Sequence, residues 1–245
     1  MHLQFIGSGD AFGSGGRFNT CFHVIGGEVN FLIDCGATSL VAMKRLGIER
    51  NAIDLILLTH FHADHCGGVP FFMLDAQFVA HRKRPLTIAG PPPIKDWFPQ
   101  AMDNAFAGSS RTAQKFDVNT VELAPGSIWR FGGAEIWPAV VRHGEPVGSY
   151  FGYRIGVDGK VLAYSGDTEW TDSLIALGRD ADLFVSEATT YDRPAPLHLA
   201  YRQLVDKLPL IRPRRLLITH MSEDMLGRGD AIEHATASDG LIVEF

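Results

Sequence analysis

"LLTHFHADHCGG", Leu57 to Gly68, crowds His60, His62, Asp64 and His65 into one short stretch. The apolar run Ile53 to Leu58 leads directly into it and reads as a buried strand. Side chains alternate along an extended segment, so His60 and His62 leave on the same side and one cation can take both. Asp64 and His65 lie further on and could serve a second cation. Imidazole nitrogen and carboxylate oxygen suit zinc, manganese or iron, with no thiolate required. Gly67 and Gly68 let the chain turn onward without a side chain crowding the site. A lone histidine is usually a surface or satisfied core group, and a lone aspartate at a strand end is usually a cap. Four such groups after a buried strand point to metal.

Outward from this stretch the chain alternates strands and helices. "HLQFIG" (2–7) reads as a short strand, and "GSGDAFGSGGRFN" (7–19) is too glycine-rich for regular structure. "TCFHVIGGEVNFLID" (20–34) reads as a hairpin turning at Gly26-Gly27. Leu40, Met43 and Leu46 mark an amphipathic helix ending at Gly47. An apolar helix is expected from about Val69 to Val79, in which Phe71, Phe72 and Phe78 have the spacing of core residues rather than of a substrate platform. "RPLTIAGPPP" (84–93) is a strand stopped by prolines, with a helix from near Ile94, and 107–120 is polar and ambiguous. From 121 to 167 the pattern is strands and tight turns. A helix near 172–177, a strand in "ADLFVSEA", a helix in "LHLAYRQLVDKL" (197–208) and a strand in "RRLLITH" complete the chain. "DLILLTHFHAD" (54–64) and "RLLITHMSED" (215–224) echo one another. Two such halves predict an α/β sandwich, two sheets face to face with helices outside, whose Thr-His strand ends meet at one edge.

The 245 residues fit one large α/β domain spanning 1–245, and 46% hydrophobic residues supply a sizeable core. A net charge of −6 builds in no broad attraction to nucleic acid. Cys21, Cys35 and Cys66 match no zinc knuckle or disulfide framework and read as reduced, half-buried thiols. No signal peptide and no bilayer-length segment is evident. The expectation is a soluble, cytoplasmic protein with no membrane partner; a homodimer stays open.

"HFHADH" resembles the HxHxDH signature of the metallo-β-lactamase-fold hydrolases, and the resemblance runs from "FIGSGDAFG" to "LLITHMS". It implies the αββα sandwich of that fold. It also implies two divalent metal ions, zinc first, with manganese or iron as alternatives. His60, His62 and His143 would hold the first ion. Asp64, His65 and His220 would hold the second, with Asp167 in "YSGDT" bridging. Two cations sharing a water lower its pKa from about 15.7 towards neutrality, so the implied chemistry is hydrolysis by a metal-bound hydroxide. The glycine-rich stretch 7–19 fits no phosphate-binding fingerprint and is read as lining the site entrance. Asp34 and Thr59 are candidates either to orient metal histidines or simply to tie off strand ends.

Asp167 argues against the true β-lactamases. "SEATTYDRPAPLHLAYRQL" and "HGEPVGSYFGYRI" resemble the ribonuclease Z group and its small-molecule phosphodiesterase relatives. That resemblance implies catalytic roles for Asp64, Glu187 and His198, the histidine contacting the phosphate and helping the leaving alkoxide take a proton. Against this, His198 could be a helix-face histidine with no role. Two departures stand out: Ser186 replaces the histidine that usually opens the His-Glu-Ala-Thr motif, and 143–167 leaves no room for the basic arm that grips tRNA. A phosphodiesterase acting on a small or cyclic phosphodiester is therefore expected, rather than one acting on extended nucleic acid. A lactonase, thioesterase or β-lactamase-like hydrolase is the alternative enzyme. A metal-binding protein without turnover, or a di-iron redox protein, is the alternative class, though the latter usually has a glutamate where this chain has His62.

Overall fold

A computed structural model describes residues 1–146 and 148–245; the motif "HGEPVGSYFGYRI" thus crosses Val147, which lies outside the described residues. Strands β1 (His2–Gly7), β2 (Cys21–Gly26) and β3 (Val29–Ile33) pair antiparallel. Helix α1 (Ser39–Arg45) then carries the chain over to β4 (Leu55–Leu57), parallel to β3. Helices α2 (Ala63–Cys66) and α3 (Val69–Phe78) lead to β5 (Leu86–Gly90), and α4 (Ile94–Ala105) leads to β6 (Val118–Glu122). Parallel neighbours need such crossovers, and a strand covered on both faces reads as a continuous apolar run. Leu55, Ile56 and Leu57 are all fully buried.

The second half repeats this logic. Strands β7 (Trp129–Phe131), β8 (Ala134–Val140), β9 (Phe151–Val157) and β10 (Lys160–Tyr164) are antiparallel neighbours. Helix α5 (Ser173–Gly178), strand β11 (Leu183–Glu187), helix α6 (Tyr201–Ile211) and strand β12 (Leu216–Thr219) then continue the sheet in parallel. After α7 (Glu223–Leu226), β13 (Ala235–Thr236) extends that sheet, whereas β14 (Ile242–Glu244) pairs with β1 across the sandwich. The two seven-stranded sheets run β14-β1-β2-β3-β4-β5-β6 and β13-β12-β11-β10-β9-β8-β7. This is the αββα metallo-β-lactamase sandwich.

Three apolar layers hold it. Phe5, Phe22 and Phe31 from one sheet meet Phe151, Tyr153 and Tyr164 from the other, with Phe22 edge-on to Tyr164 at 5.0 Å between centroids. α1, α3 and α4 cover the outer face of the first sheet, and α5 and α6 cover that of the second. Cross-sheet hydrogen bonds close the edge where β4 and β12 end. Tyr153 Oη donates to the Leu58 carbonyl (2.6 Å), Phe151 N to Thr59 O (3.0 Å) and His220 N to Ser8 O (3.2 Å). The two Thr-His ends meet there.

Several local expectations need correction. The β2–β3 turn falls one residue later, with Gly27 at φ 52°. α6 begins at Tyr201 rather than 197, so His198 lies in the loop before the helix and not on its face. Only Phe72 of the three aromatics on α3 is core. Phe71 and Phe78 are exposed, against Phe106 and beneath Lys115 respectively. The ambiguous stretch 107–120 forms a short 3-10 turn (Ser109–Arg111) and the start of β6. The three cysteines are free and fully buried, not half-buried. Among the described residues no helix is long and apolar enough to cross a membrane.

Candidate metal centre

β4 stops at Leu57, the chain bends at Thr59, and His62 sits extended at the N-terminus of α2 with φ −72° and ψ 145°. His60 and His62 bring donor nitrogens within 4.8 Å of each other and of His143. Asp64 and His65 follow on the single turn of α2. That turn lies close against the segment after β3: a Cβ on Gly36 would meet Asp64 O at 2.1 Å, and one on Gly68 would meet Gly36 O at 2.3 Å. Glycine at both places is what lets the two segments touch.

The remaining donors come from the other sheet. His143 follows β8, Asp167 follows β10 and His220 follows β12. Together the seven form two groups, His60–His62–His143 and Asp64–His65–Asp167–His220, in each of which one donor atom per residue lies within 4.8 Å of all the others. His65 Nε2 stands 3.2 Å from Asp167 Oδ2 and 3.3 Å from Asp64 Oδ2, and His220 Nε2 stands 3.3 Å from each of the same two oxygens. His60 Nε2, His65 Nε2 and Asp167 Oδ1 are buried without a hydrogen-bond partner. Leaving a buried polar atom unsatisfied costs about 1–3 kcal/mol. Three such atoms within the two donor groups fit cations, which use the lone pairs that hydrogen bonds leave vacant.

Outer partners fix the rings. Asp34 accepts from His65 Nδ1 (2.8 Å), Thr59 N (2.7 Å) and Thr59 Oγ1, and Thr59 Oγ1 also contacts His60 Nδ1 (3.0 Å). Both residues thus orient histidines as well as tie the strand end. His143 Nδ1 donates to the Leu197 carbonyl (2.8 Å), so its Nε2 faces the cluster. The Tyr150 ring packs against His60, His62 and His143. Burial, with His65 nearby, pushes His60 well below the usual histidine range and keeps its lone pair free. Burial acts the same way on His65, but Asp167 and Asp34 outweigh it and raise that ring well above the range.

Glu187, at the end of β11 and fully buried, accepts from Thr189 Oγ1 (2.8 Å), Thr168 N and His198 Nδ1 (3.1 Å). Burial would depress His198, but the hydrogen bond and charge of Glu187 outweigh it and raise its pKa to about 9. His198 lies 4.7 Å from His143 and 5.5 Å from His220 between ring centroids. Both sets open on one cavity of about 470 Å³, with His62, Asp64, His143, Asp167, His198 and His220 in its lining. The nine residues singled out from sequence as metal or catalytic candidates lie together here. Sequence reasoning missed Thr168, Thr189, Tyr150 and the Leu197 carbonyl, because a backbone acceptor or a lone hydroxyl carries no spacing signal.

The profile described as "Anti-Pycsar protein Apyc1" matches residues 1–238. The chain belongs to that family. An Anti-Pycsar protein Apyc1 of Saccharibacillus brassicae is 31% identical over 51% of this chain and 54% of its own. A ribonuclease Z of Methanothermobacter thermautotrophicus is 26% identical over 91% of this chain and 87% of its own. Among solved structures, the metallo-β-lactamase fold protein YhfI of Bacillus subtilis superimposes with a TM-score of 0.81 at 19% identity, covering 100% of this chain and 99% of that one. A diphosphatase from the PhnP family gives 0.78 at 22% identity, covering 100% and 97%. These two show the fold alone. Family membership and the ribonuclease Z relationship make the chain a metal-dependent phosphodiester hydrolase.

Proposed function

We propose that the protein opens small cyclic phosphodiesters, cyclic nucleotides foremost, at a two-metal centre in which zinc is the resident ion. One observation carries the reading: seven converging donors and the Glu187-held His198 line the same cavity. Membership of the Apyc1 family supports the cyclic nucleotide. His60, His62 and His143 would hold one ion, Asp64, His65 and His220 the other, and Asp167 both. When bound, such a pair supplies a water acidified towards neutrality and polarises the phosphoryl oxygen. Asp64 stays ionised: burial would raise its carboxyl, but hydrogen bonds from His220 and His65 hold it well below the usual range. It therefore serves as a ligand and not as a proton carrier. His198 gives its Nε2 proton to the departing alkoxide, with Glu187 fixing the ring through Nδ1. Buried free thiols support a reducing, cytoplasmic setting.

Only the β9–β10 hairpin separates His143 from Asp167 among the described residues, and the net charge is −6. Both favour a small substrate over tRNA. Values of kcat/KM for a 3′,5′-cyclic nucleotide, a bis-aryl phosphate and a precursor tRNA are expected to rank the tRNA last. Efficient, correctly placed tRNA cleavage would overturn the small-substrate reading, and dominant lactone or β-lactam hydrolysis would overturn the phosphodiesterase reading altogether.

Asp34 offers a second test at the metals. Aspartate and asparagine both tolerate its φ of 59°, so Asp34→Asn removes the charge without removing the backbone preference. Partners of this kind typically contribute about 10–100-fold in metal affinity. Chelator competition is expected to show a loss of that order. Unchanged affinity would leave Asp34 as a strand-end tie only.

A further inference from the structure

Two large apolar side chains on the active-site cavity are uncovered. Phe12 is 93% exposed and Leu197 is 40% exposed, and both line the same space of about 470 Å³ as the metal donors. Neither is explained by a slack loop. Asp10, itself 2% exposed, accepts from Phe12 N (3.2 Å), Ser14 N (2.9 Å) and Ser14 Oγ (2.7 Å). Asn19 Nδ2 donates to the Asp10 carbonyl, and Gly15 N donates to Glu223 Oε1. The loop is tied at four residues and holds Phe12 out at the cavity wall.

Leu197 is the more telling case. Its φ is +66°, a left-handed conformation that glycine adopts freely and a bulky side chain does not. The service its backbone renders, a carbonyl for His143 Nδ1, would be met as well by glycine. The side chain thus faces the cavity from a backbone conformation that disfavours it. Retained strain at a site is a pointer to function.

A bare sugar phosphate has nothing to offer two apolar walls. A nucleotide does: its base has flat apolar faces, while its phosphate suits the donor cluster. Binding cavities commonly span about 300–1,000 Å³, so a single mononucleotide fits this one. We propose that Phe12 and Leu197 form a nucleobase subsite, with the base stacked on the Phe12 ring and flanked by Leu197. This deepens, and rests on, the cyclic-nucleotide reading above.

Calorimetric binding of adenosine 5′-monophosphate and ribose 5-phosphate to the metal-loaded protein tests it without requiring turnover. Wild type is expected to bind the nucleotide at least about ten-fold more tightly. Base–aromatic stacking is worth roughly five- to hundred-fold when an aromatic is cut to alanine, so Phe12→Ala should remove most of that preference while leaving ribose 5-phosphate unchanged. Phe12→Trp should keep it. Leu197→Gly should weaken the nucleotide by a few-fold and melt no lower than wild type. Equal affinity of wild type for the two ligands would overturn the subsite, as would an equal loss for both in Phe12→Ala. Cyclic nucleotide turnover, measured separately, tells the two proposals apart. Turnover without base preference sinks the subsite alone, and base preference without turnover sinks the phosphodiesterase reading alone.

Discussion

Asp167→Ala is expected to cost both metals, and with them essentially all hydrolysis. Wild-type protein reloaded with zinc or manganese should saturate at two equivalents per chain by elemental analysis, because the seven donors fall into a group of three and a group of four, and Asp167 Oδ2 of the second stands 3.7 Å from His143 Nε2 of the first. Asp167 Oδ2 lies 3.2 Å from His65 Nε2 and 3.3 Å from His220 Nε2, while Oδ1 is buried with no partner. With His143 Nε2 also near Oδ2, the carboxylate reaches donors of both groups. Its removal takes a ligand from each ion and leaves three imidazoles crowded without their shared anion. Affinity should fall at both sites. Loss of the several kcal/mol of charge stabilisation a metal centre supplies corresponds to more than about 10³-fold in kcat. Saturation of wild type at one equivalent would rule out the bridged arrangement. A variant that still binds two ions tightly would show that Asp167 belongs to one ion or to none.

What sequence made legible follows the physics of spacing. His60, His62, Asp64 and His65 were readable because strand alternation and one helical turn fix where four near neighbours point. The Thr-His echo at residues 59–60 and 219–220 was readable because each half of the sandwich repeats a buried strand ending in the same pair. His143 and Asp167 could not have been joined to them by periodicity. Their meeting depends on how two sheets stack, and it was the resemblance that supplied it. Elements that owe their form to distant partners were the ones misjudged. β14 is a strand because β1 offers it an open edge. α2 is a four-residue turn tied back by Cys35 N to His65 O and Gly68 N to Cys35 O, which no propensity signals. α6 starts late because the loop carrying Leu197 and His198 is held by His143 and Glu187. Phe71 and Phe78 show the opposite failure: helical spacing alone does not say which face of α3 the sheet covers.

His198→Ala separates the proposed mechanism from its rivals. A phosphodiester expels an alkoxide, a poor leaving group unless it takes a proton as the bond breaks. The metal donors and His198 line the same cavity, and His198 has its Nδ1 anchored on Glu187. General acid catalysis typically contributes about 10²–10⁴-fold, and a loss of that size is expected with an unactivated diester. With a nitrophenyl ester, which departs unaided, the loss should shrink. Metal content should stay unchanged. The pH profile adds a second readout. Glu187 raises His198 to about 9, so the proton is in place through neutrality and the rate on a poor leaving group should fall as pH rises through that value. Glu187→Gln removes the charge that holds the proton, and the alkaline fall should then move to lower pH. Full activity of His198→Ala on an unactivated diester would leave the histidine with no part in proton transfer. Loss of a metal from the same variant would instead place it among the ligands.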